Sequence, residues 1–318
     1  MIGKPVRRAT SALEKPALLP EARRRSTSAR RRQASVAAYL FILPALVLYV
    51  GFLGYPLVRS FYLSLTKYNF IYSAVPAWIG FGNYVQMFHD SAFLVSLLHT
   101  GEFTLMFLPA LLVLGLGIAS LIQSRAIGGR FFQGVIFLPV VVPLSIAGVM
   151  FMWLYSNDFG LVNFILSLVG LGHLARAWLN STDTALPAIA LVNLWKYTGL
   201  SAVLFLAGLL AIPGELYEAA RIDGAGGFQL LTHITIPNLR ETFVLVTIWG
   251  LIESWKVFAL PFVMTRGGPG DATQVLYLFI YQTAFKYFEV GKAAAMAFFL
   301  ALIILLFSLL TMRLARTE

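Results

Sequence analysis

Six long apolar runs constrain this 318-residue chain more than any other feature. They lie at about Val36–Val58, Ala92–Ile122, Gly134–Tyr155, Ala185–Leu210, Thr242–Met264 and Gly291–Met312. Each reaches the roughly 20 residues a helix needs to cross the hydrocarbon core of a bilayer. Lipid offers no partner to a backbone amide or carbonyl, so only helices and closed barrels can span it. Barrel strands would alternate over segments of about ten residues. These runs are continuous, so the expected fold is all-α: a polytopic membrane protein with six transmembrane helices. Charged residues make up 12% of the chain, about half the usual quarter of a soluble domain. That is too few for a polar shell, which excludes an ordinary soluble enzyme, and the apolar content excludes a disordered chain. The absence of cysteine excludes disulfides, thiolate metal sites and cysteine nucleophiles. Four histidines argue against a histidine-rich metal site.

The basic residues orient the bundle. Residues 1–35 carry ten lysines and arginines, and Arg125, Arg130, Arg221, Arg240, Arg313 and Arg316 fall on the same side, sixteen of the 24 in all. Arg59, Lys67, Arg176, Arg266, Lys286 and Lys292 fall on the other. The positive-inside rule therefore puts both termini in the cytoplasm, as an even number of spans also requires. The first run is longer than a signal-peptide core and lacks a prompt small-x-small cleavage site, so it reads as a retained anchor. Residues 1–35 read as a flexible cytoplasmic tail. Without interleaved aromatics, their charge sets topology rather than binding nucleic acid. The chain is thus divided into this tail and a membrane domain, residues 36–318, in contact with the lipid bilayer. The outer loops, near residues 66–91, 156–183 and 265–290, carry aromatic residues, among them Tyr72 and Trp78, Phe159 and Trp178, and Tyr277 and Tyr287. Such aromatics suit a membrane interface, and they equally suit docking of an outer partner.

The cytoplasmic loop between the fourth and fifth runs, about residues 211–240, carries the most specific pattern. Pro213-Gly214 closes the fourth run. Glu215–Ile222 is a good helix former with acids in its first turn, which suits the helix dipole. Asp223-Gly224 supplies a turn, because glycine adopts positive φ without strain. A second amphipathic stretch, Phe228–Ile236, is expected to end at Pro237. Ala219, Ala220 and Ala225 let another surface approach closely.

This segment resembles a known family. Glu218-Ala219-Ala220, then Gly224, then Ile234-x-Ile236-Pro237 looks like the EAA loop of binding-protein-dependent ABC importer permeases. Ile236 stands where the family usually has leucine. The likeness runs through Tyr39-Leu40-Phe41-Ile42-Leu43-Pro44, Gly82-Asn83-Tyr84, Phe137-Leu138-Pro139, Gly160-Leu161-Val162-Asn163, Trp195-Lys196, Lys256-Val257-Phe258 and Thr265-Arg266-Gly267-Gly268-Pro269. The last group resembles the carbohydrate-importer branch, similar to the maltose and glycerol-phosphate permeases. There Arg266 is often glycine and His99 often asparagine.

The resemblance implies a type I permease fold in a bacterial or archaeal cytoplasmic membrane. It implies a second homologous permease, two ATPase subunits or domains and an extracytoplasmic solute-binding protein. The loop would be a coupling helix seated in a cleft of the ATPase. ATP-driven closure would then turn the paired permeases outward to receive the solute. Glu218 would be a charged contact, Ala219 and Ala220 the close-packed contact, and Asp223 and Gly224 the turn, with Ile234 and Pro237 completing the motif. The chain lacks a GxxxxGK[ST] phosphate loop. ATP and Mg are therefore expected on the partner ATPase, with no cofactor in this chain and no enzyme activity of its own.

Charged groups inside spans cost about 2.5 to 3.5 kcal/mol on insertion scales, so they normally face an interior or a partner. Glu102, Lys196, Glu253 and Lys256 are such groups, and Glu253 and Lys256 share a helical face. Aromatic faces beside hydrogen-bonding groups suit a sugar. The expected substrate path is Asn193, Trp195, Tyr197, Glu253, Trp255 and Lys256. Lys196 and Lys256 could equally snorkel to a membrane surface. Pro109, Pro139, Pro143, Pro187 and Pro261 fall in or near spans, as hinges or static kinks. The expected function is a permease subunit of an ATP-driven importer for a sugar or related polyhydroxylated solute. A glycerophosphate permease is one alternative. An ion- or proton-coupled carrier or channel is another, and it would show an inverted repeat or more intramembrane acids. An intramembrane enzyme would need paired catalytic groups, and none is clearly placed.

Overall fold

The computed structural model describes residues 35, 38–72, 75–124 and 129–316. Most of the expected basic tail, and Arg125 with it, lie outside the described residues. The chain divides into two compact units, Met1–Arg59 and Ser60–Glu318. Helix α1, Ala38–Ser64, supplies most of the described part of the first unit and opens the second. It widens into a π turn at Val50–Gly54.

The second unit is built from helices. In chain order these are α2 (Gly82–Met87), α3 (Ser91–Ser124), α4 (Gly129–Val141), α5 (Leu144–Leu154), α6 (Leu161–Leu168) and α7 (Thr182–Ala211). They continue with α8 (Gly214–Ile222), α9 (Gly227–Leu230), α10 (Ile236–Asn238), α11 (Arg240–Trp255), α12 (Ala259–Met264), α13 (Leu276–Phe285) and α14 (Val290–Arg316). Among the described residues, five helical segments are long and apolar enough to cross a membrane, or six if one bent pair counts as a span. The chain is mostly helical, as expected, with one small addition. Thr66–Lys67 and Ala77–Trp78 pair as a short antiparallel ribbon, β1 and β2. Buried Asn83 fixes the end of that ribbon by donating to the carbonyls of Ser64 and Thr66, each at 2.8 Å.

Helices α3 and α7 form the centre. Phe103, Phe107 and Leu111 of α3 are fully buried against Ile189, Phe205 and Leu209 of α7. A second cluster joins Met87, Phe93, Leu276 and Met296, which draws α13 and α14 onto α3. Lipid does not drive apolar surfaces together, so close packing and interhelical hydrogen bonds must hold such a bundle. Both are present. Ser201 donates to the Leu111 carbonyl at 3.1 Å, Thr104 to Ser254 at 3.1 Å, and the Leu276 amide to Thr100 at 2.8 Å. A Cβ on Gly199 would stand 2.2 Å from the Ile136 carbonyl oxygen, so only glycine lets α7 touch the backbone of α4.

The third apolar run is not one straight helix. It breaks after Val141 and resumes at Leu144, bent by 98°. Pro143 has no N–H and takes an extended ψ of 137° at the start of α5. The carbonyls left open by the break meet the Lys196 ammonium, which lies in a span and is buried. Its Nζ donates to Pro139 O at 3.3 Å, to Val140 O at 2.6 Å, and to Val142 O. Lys196 therefore does not snorkel; it caps a half-helix.

At the end of the bundle near α2, Lys292 in the first turn of α14 meets Asp90 at 2.6 Å. Burial acts to raise the Asp90 carboxyl pKa. The Lys292 hydrogen bond and charge, with the amides of Ala92 and Phe93, outweigh it and hold the carboxyl below the usual carboxylate range.

Candidate functional site

The loop between α7 and α11 forms a compact two-armed structure. Pro213 stops α7 and starts α8 with an extended ψ of 130°. Glu215 lies in the first turn of α8 and Arg221 in its last, both favourable to the helix dipole. The chain then reverses at Gly224, whose φ is +84°. Gly224 N donates to Arg221 O at 3.1 Å, and Ala225 N donates to Ala220 O at 2.9 Å, which closes the helix end. The second arm begins at Gly226, whose amide donates to the Gln229 side chain at 2.8 Å. The Tyr217 and Thr235 hydroxyls meet at 3.0 Å and tie the two arms together.

The second arm departs from the expected helix ending at Pro237. A π turn, Leu231–Thr235, follows α9, and the helical path continues through Pro237 in α10. Pro237 offers no N–H to the carbonyl four residues earlier, and the π turn widens the ladder there.

Glu218, Ala219, Asp223, Gly224 and Pro237 are exposed, while Ala220 and Ile234 are half-buried. Ala220, Asp223, Gly224 and Ile234 line one hollow of about 270 Å³ with Gln229 and His233. Four apolar side chains stand out beside it: Ile222 is 87% and Phe228 78% exposed, with Leu216 and Ile236 at 40%. A loop that served only as a connector would have no reason to present this surface. It offers an apolar grip, a carboxylate and a shallow notch to a protein partner.

The six residues expected on a substrate path divide among four places. Tyr197 and Glu253 meet: the Tyr197 hydroxyl donates to Glu253 Oε2 at 2.9 Å. Trp249, which sequence reasoning missed, packs edge-on to Tyr197 at 5.3 Å; its spacing of four from Glu253 on α11 was the available signal. Asn193 lies one turn before Tyr197 on α7, 2% exposed, and its Nδ2 has no partner. Trp195 points elsewhere, edge-on to Phe151 of α5 at 5.1 Å. Trp255 is buried against Phe307 of α14, with an unpartnered Nε1. Lys256 is exposed at the break between α11 and α12. Among the described residues, no three metal-ligating side chains come together as a site for an ion.

The arrangement invites comparison with known proteins. The model of one family, "Binding-protein-dependent transport system inner membrane component", matches residues 39–317. The sulfoquinovosyl glycerol transport system permease protein SmoG of Agrobacterium fabrum is 34% identical, with 88% of this chain and 91% of that protein covered. The trehalose/maltose transport system permease protein MalF of Thermococcus litoralis is 30% identical, with 91% and 97% covered. Among solved structures, a bacterial ABC transporter involved in the import of the acidic polysaccharide alginate superposes with a TM-score of 0.75. That match has 24% identity and covers 91% of this chain and 99% of the other. This chain belongs to the family of binding-protein-dependent transport system inner membrane components and is a permease subunit of an ABC importer.

Proposed function

We propose that this permease carries a sugar or related polyhydroxylated solute, and that the α8–α10 loop couples it to an ATPase. The observation that supports this most is the loop itself. Its turn at Gly224 holds Glu218, Ala219 and the notch at one exposed surface, beside four outward apolar side chains. In this reading Glu218 pairs with a basic group of the ATPase, and Ile222 and Phe228 fill its cleft. Movement of the ATPase is passed to α7 and α11, the helices that enter and leave the loop. Both termini face the same compartment as the loop, in the cytoplasmic membrane of the cell. A second permease, two ATPase subunits and an outer binding protein complete the complex.

Asn193, Tyr197 and Glu253 are the favoured solute contacts. They combine a free amide donor, a phenol and a carboxylate beside the indole of Trp249, the mixture that sugar hydroxyls and C–H faces require. Trp195, Trp255 and Lys256 face other surroundings and rank behind them. The relative named for trehalose/maltose favours the same solute class.

The test is sugar uptake by cells whose own copy is deleted and replaced. Asn193→Ala should abolish uptake while the complex still assembles. Unchanged uptake would remove Asn193 from the path.

A further inference from the structure

A cavity in the second unit lies away from all these residues. It measures about 670 Å³, is open on one side, and is lined by α3, the start of α7 and the loop before α13. Its position is at the far end of α7 from the coupling loop. A 30-residue helix separates the two ends, about 45 Å at 1.5 Å per residue. On the topology proposed above, this end faces the outside.

Its lining is graded. His99 and Glu102 of α3, with Thr182 and Asp183 at the start of α7, form the polar part. Leu105 and Leu186, deeper along both helices, form the apolar part. His99 Nδ1 donates to the Gln274 carbonyl at 3.3 Å. Thr182 donates to Asp183 at 3.2 Å. Glu102 is exposed where α3 enters its most apolar stretch. Carboxylates persist at such a depth only against water or a polar partner. Among the described residues, no lysine or arginine lines the cavity.

Helical spacing extends the feature inward. Leu186, Asn193 and Tyr197 follow one another at intervals of seven and four along α7, so they share a stripe. The stripe leads from the cavity to the buried, unpartnered amide of Asn193.

We infer that this cavity is the outer vestibule of the solute path, and that Glu102 and Asp183 make it selective for uncharged polyhydroxylated solutes over anionic ones. The volume lies in the usual 300–1,000 Å³ range of ligand sites. Two carboxylates accept hydrogen bonds from hydroxyl groups, and the apolar wall below takes a sugar's C–H face. The same carboxylates repel a sulfonate, uronate or phosphate. The inference rests on the importer reading above, and it separates this chain from relatives of acidic cargo.

The absence of cysteine makes a direct test possible. Leu105→Cys, 75% exposed in the cavity, is introduced in the full complex in membrane vesicles. It is labelled from the outside with a cationic and an anionic methanethiosulfonate, and each rate is divided by that of a free thiol. The cationic reagent should be favoured threefold or more at low salt, and Glu102→Gln with Asp183→Asn should bring the ratio near one. Val95→Cys, also lining the cavity, gives the same reading if Leu105→Cys fails to insert. Failure to label at either position, or equal rates in the parent, would overturn the proposal. So would uptake of maltobionate by the parent complex at the rate of maltose. Labelling needs no transport, so its failure is distinct from failure of the importer reading, which would show as absent ATP-driven uptake.

Discussion

Replacing Lys196 with methionine tests how the broken third run is held. The two side chains have similar length, so the change removes the charge and donors but little volume. Three carbonyls, those of Pro139, Val140 and Val142, lose their shared donor. A buried acceptor left unsatisfied costs about 1–3 kcal/mol. The sum is offset by release of an ammonium from a site where burial itself costs several kcal/mol. A net loss of about 3 kcal/mol is expected, roughly a hundredfold in the balance between the bent segment and its alternatives. Nitroxide labels at Phe132→Cys and Met150→Cys, one on each arm and both exposed, report the bend by pulsed dipolar spectroscopy. A straight helix would hold these positions about 27 Å apart. The 98° bend brings their backbones to about 17 Å. The parent should give one short, narrow distance. Lys196→Met should add a longer, broad component and lower the thermal midpoint in detergent. Identical distances and midpoints would refute the capping role.

Gly199→Ala should drive α4 off α7, because the added Cβ meets backbone at 2.2 Å; a loss of about 1–3 kcal/mol would be read by thermal denaturation. Gly224→Leu forces a branched side chain into φ +84°, a strain of about 1–2 kcal/mol; uptake and ATPase co-purification should fall while membrane insertion persists. Arg266 sits at φ +54° with no glycine to relieve it; Arg266→Gly should raise the midpoint slightly, by an amount equivalent to about 1 kcal/mol. The depressed Asp90 pKa contributes stability that is present above the ordinary carboxylate value and is lost as pH falls through the lower, folded value. Asp90→Asn should therefore cost about 1–2 kcal/mol at pH 7 and progressively less below pH 4, as followed by denaturation across that range.

The long spans were legible because an apolar run of bilayer length leaves few alternatives. The turn between the two arms of the α8–α10 loop was legible for a different reason: Gly224 answers a local backbone need, a positive φ. The 98° break was only half legible. Pro139 and Pro143 announced a disturbance, but the group that meets the opened carbonyls, Lys196, lies more than fifty residues away. The π turn before Pro237 was missed because proline was read as a helix stop, when a widened ladder can accommodate it. The substrate path suffered most. Adjacency in sequence grouped Asn193, Trp195 and Tyr197 on one helix and Glu253, Trp255 and Lys256 on the other, and the pairing of Tyr197 with Glu253 is a tertiary contact that no spacing announced. Neighbours on a helix point about 100° apart, so Trp195 turns to α5 and Trp255 to α14. The vestibule escaped notice because its walls come from three separate segments.

The central claim is that ATP hydrolysis elsewhere drives solute through this chain by way of the α8–α10 loop. The most direct measurement reconstitutes the permease with its partner permease, ATPase and binding protein in liposomes, and follows solute accumulation and ATP hydrolysis together. The parent should accumulate solute only with ATP and loaded binding protein. With Gly224→Leu, accumulation should stop and the stimulation of hydrolysis by loaded binding protein should disappear. Accumulation that persists at the parental rate in that variant would contradict the account.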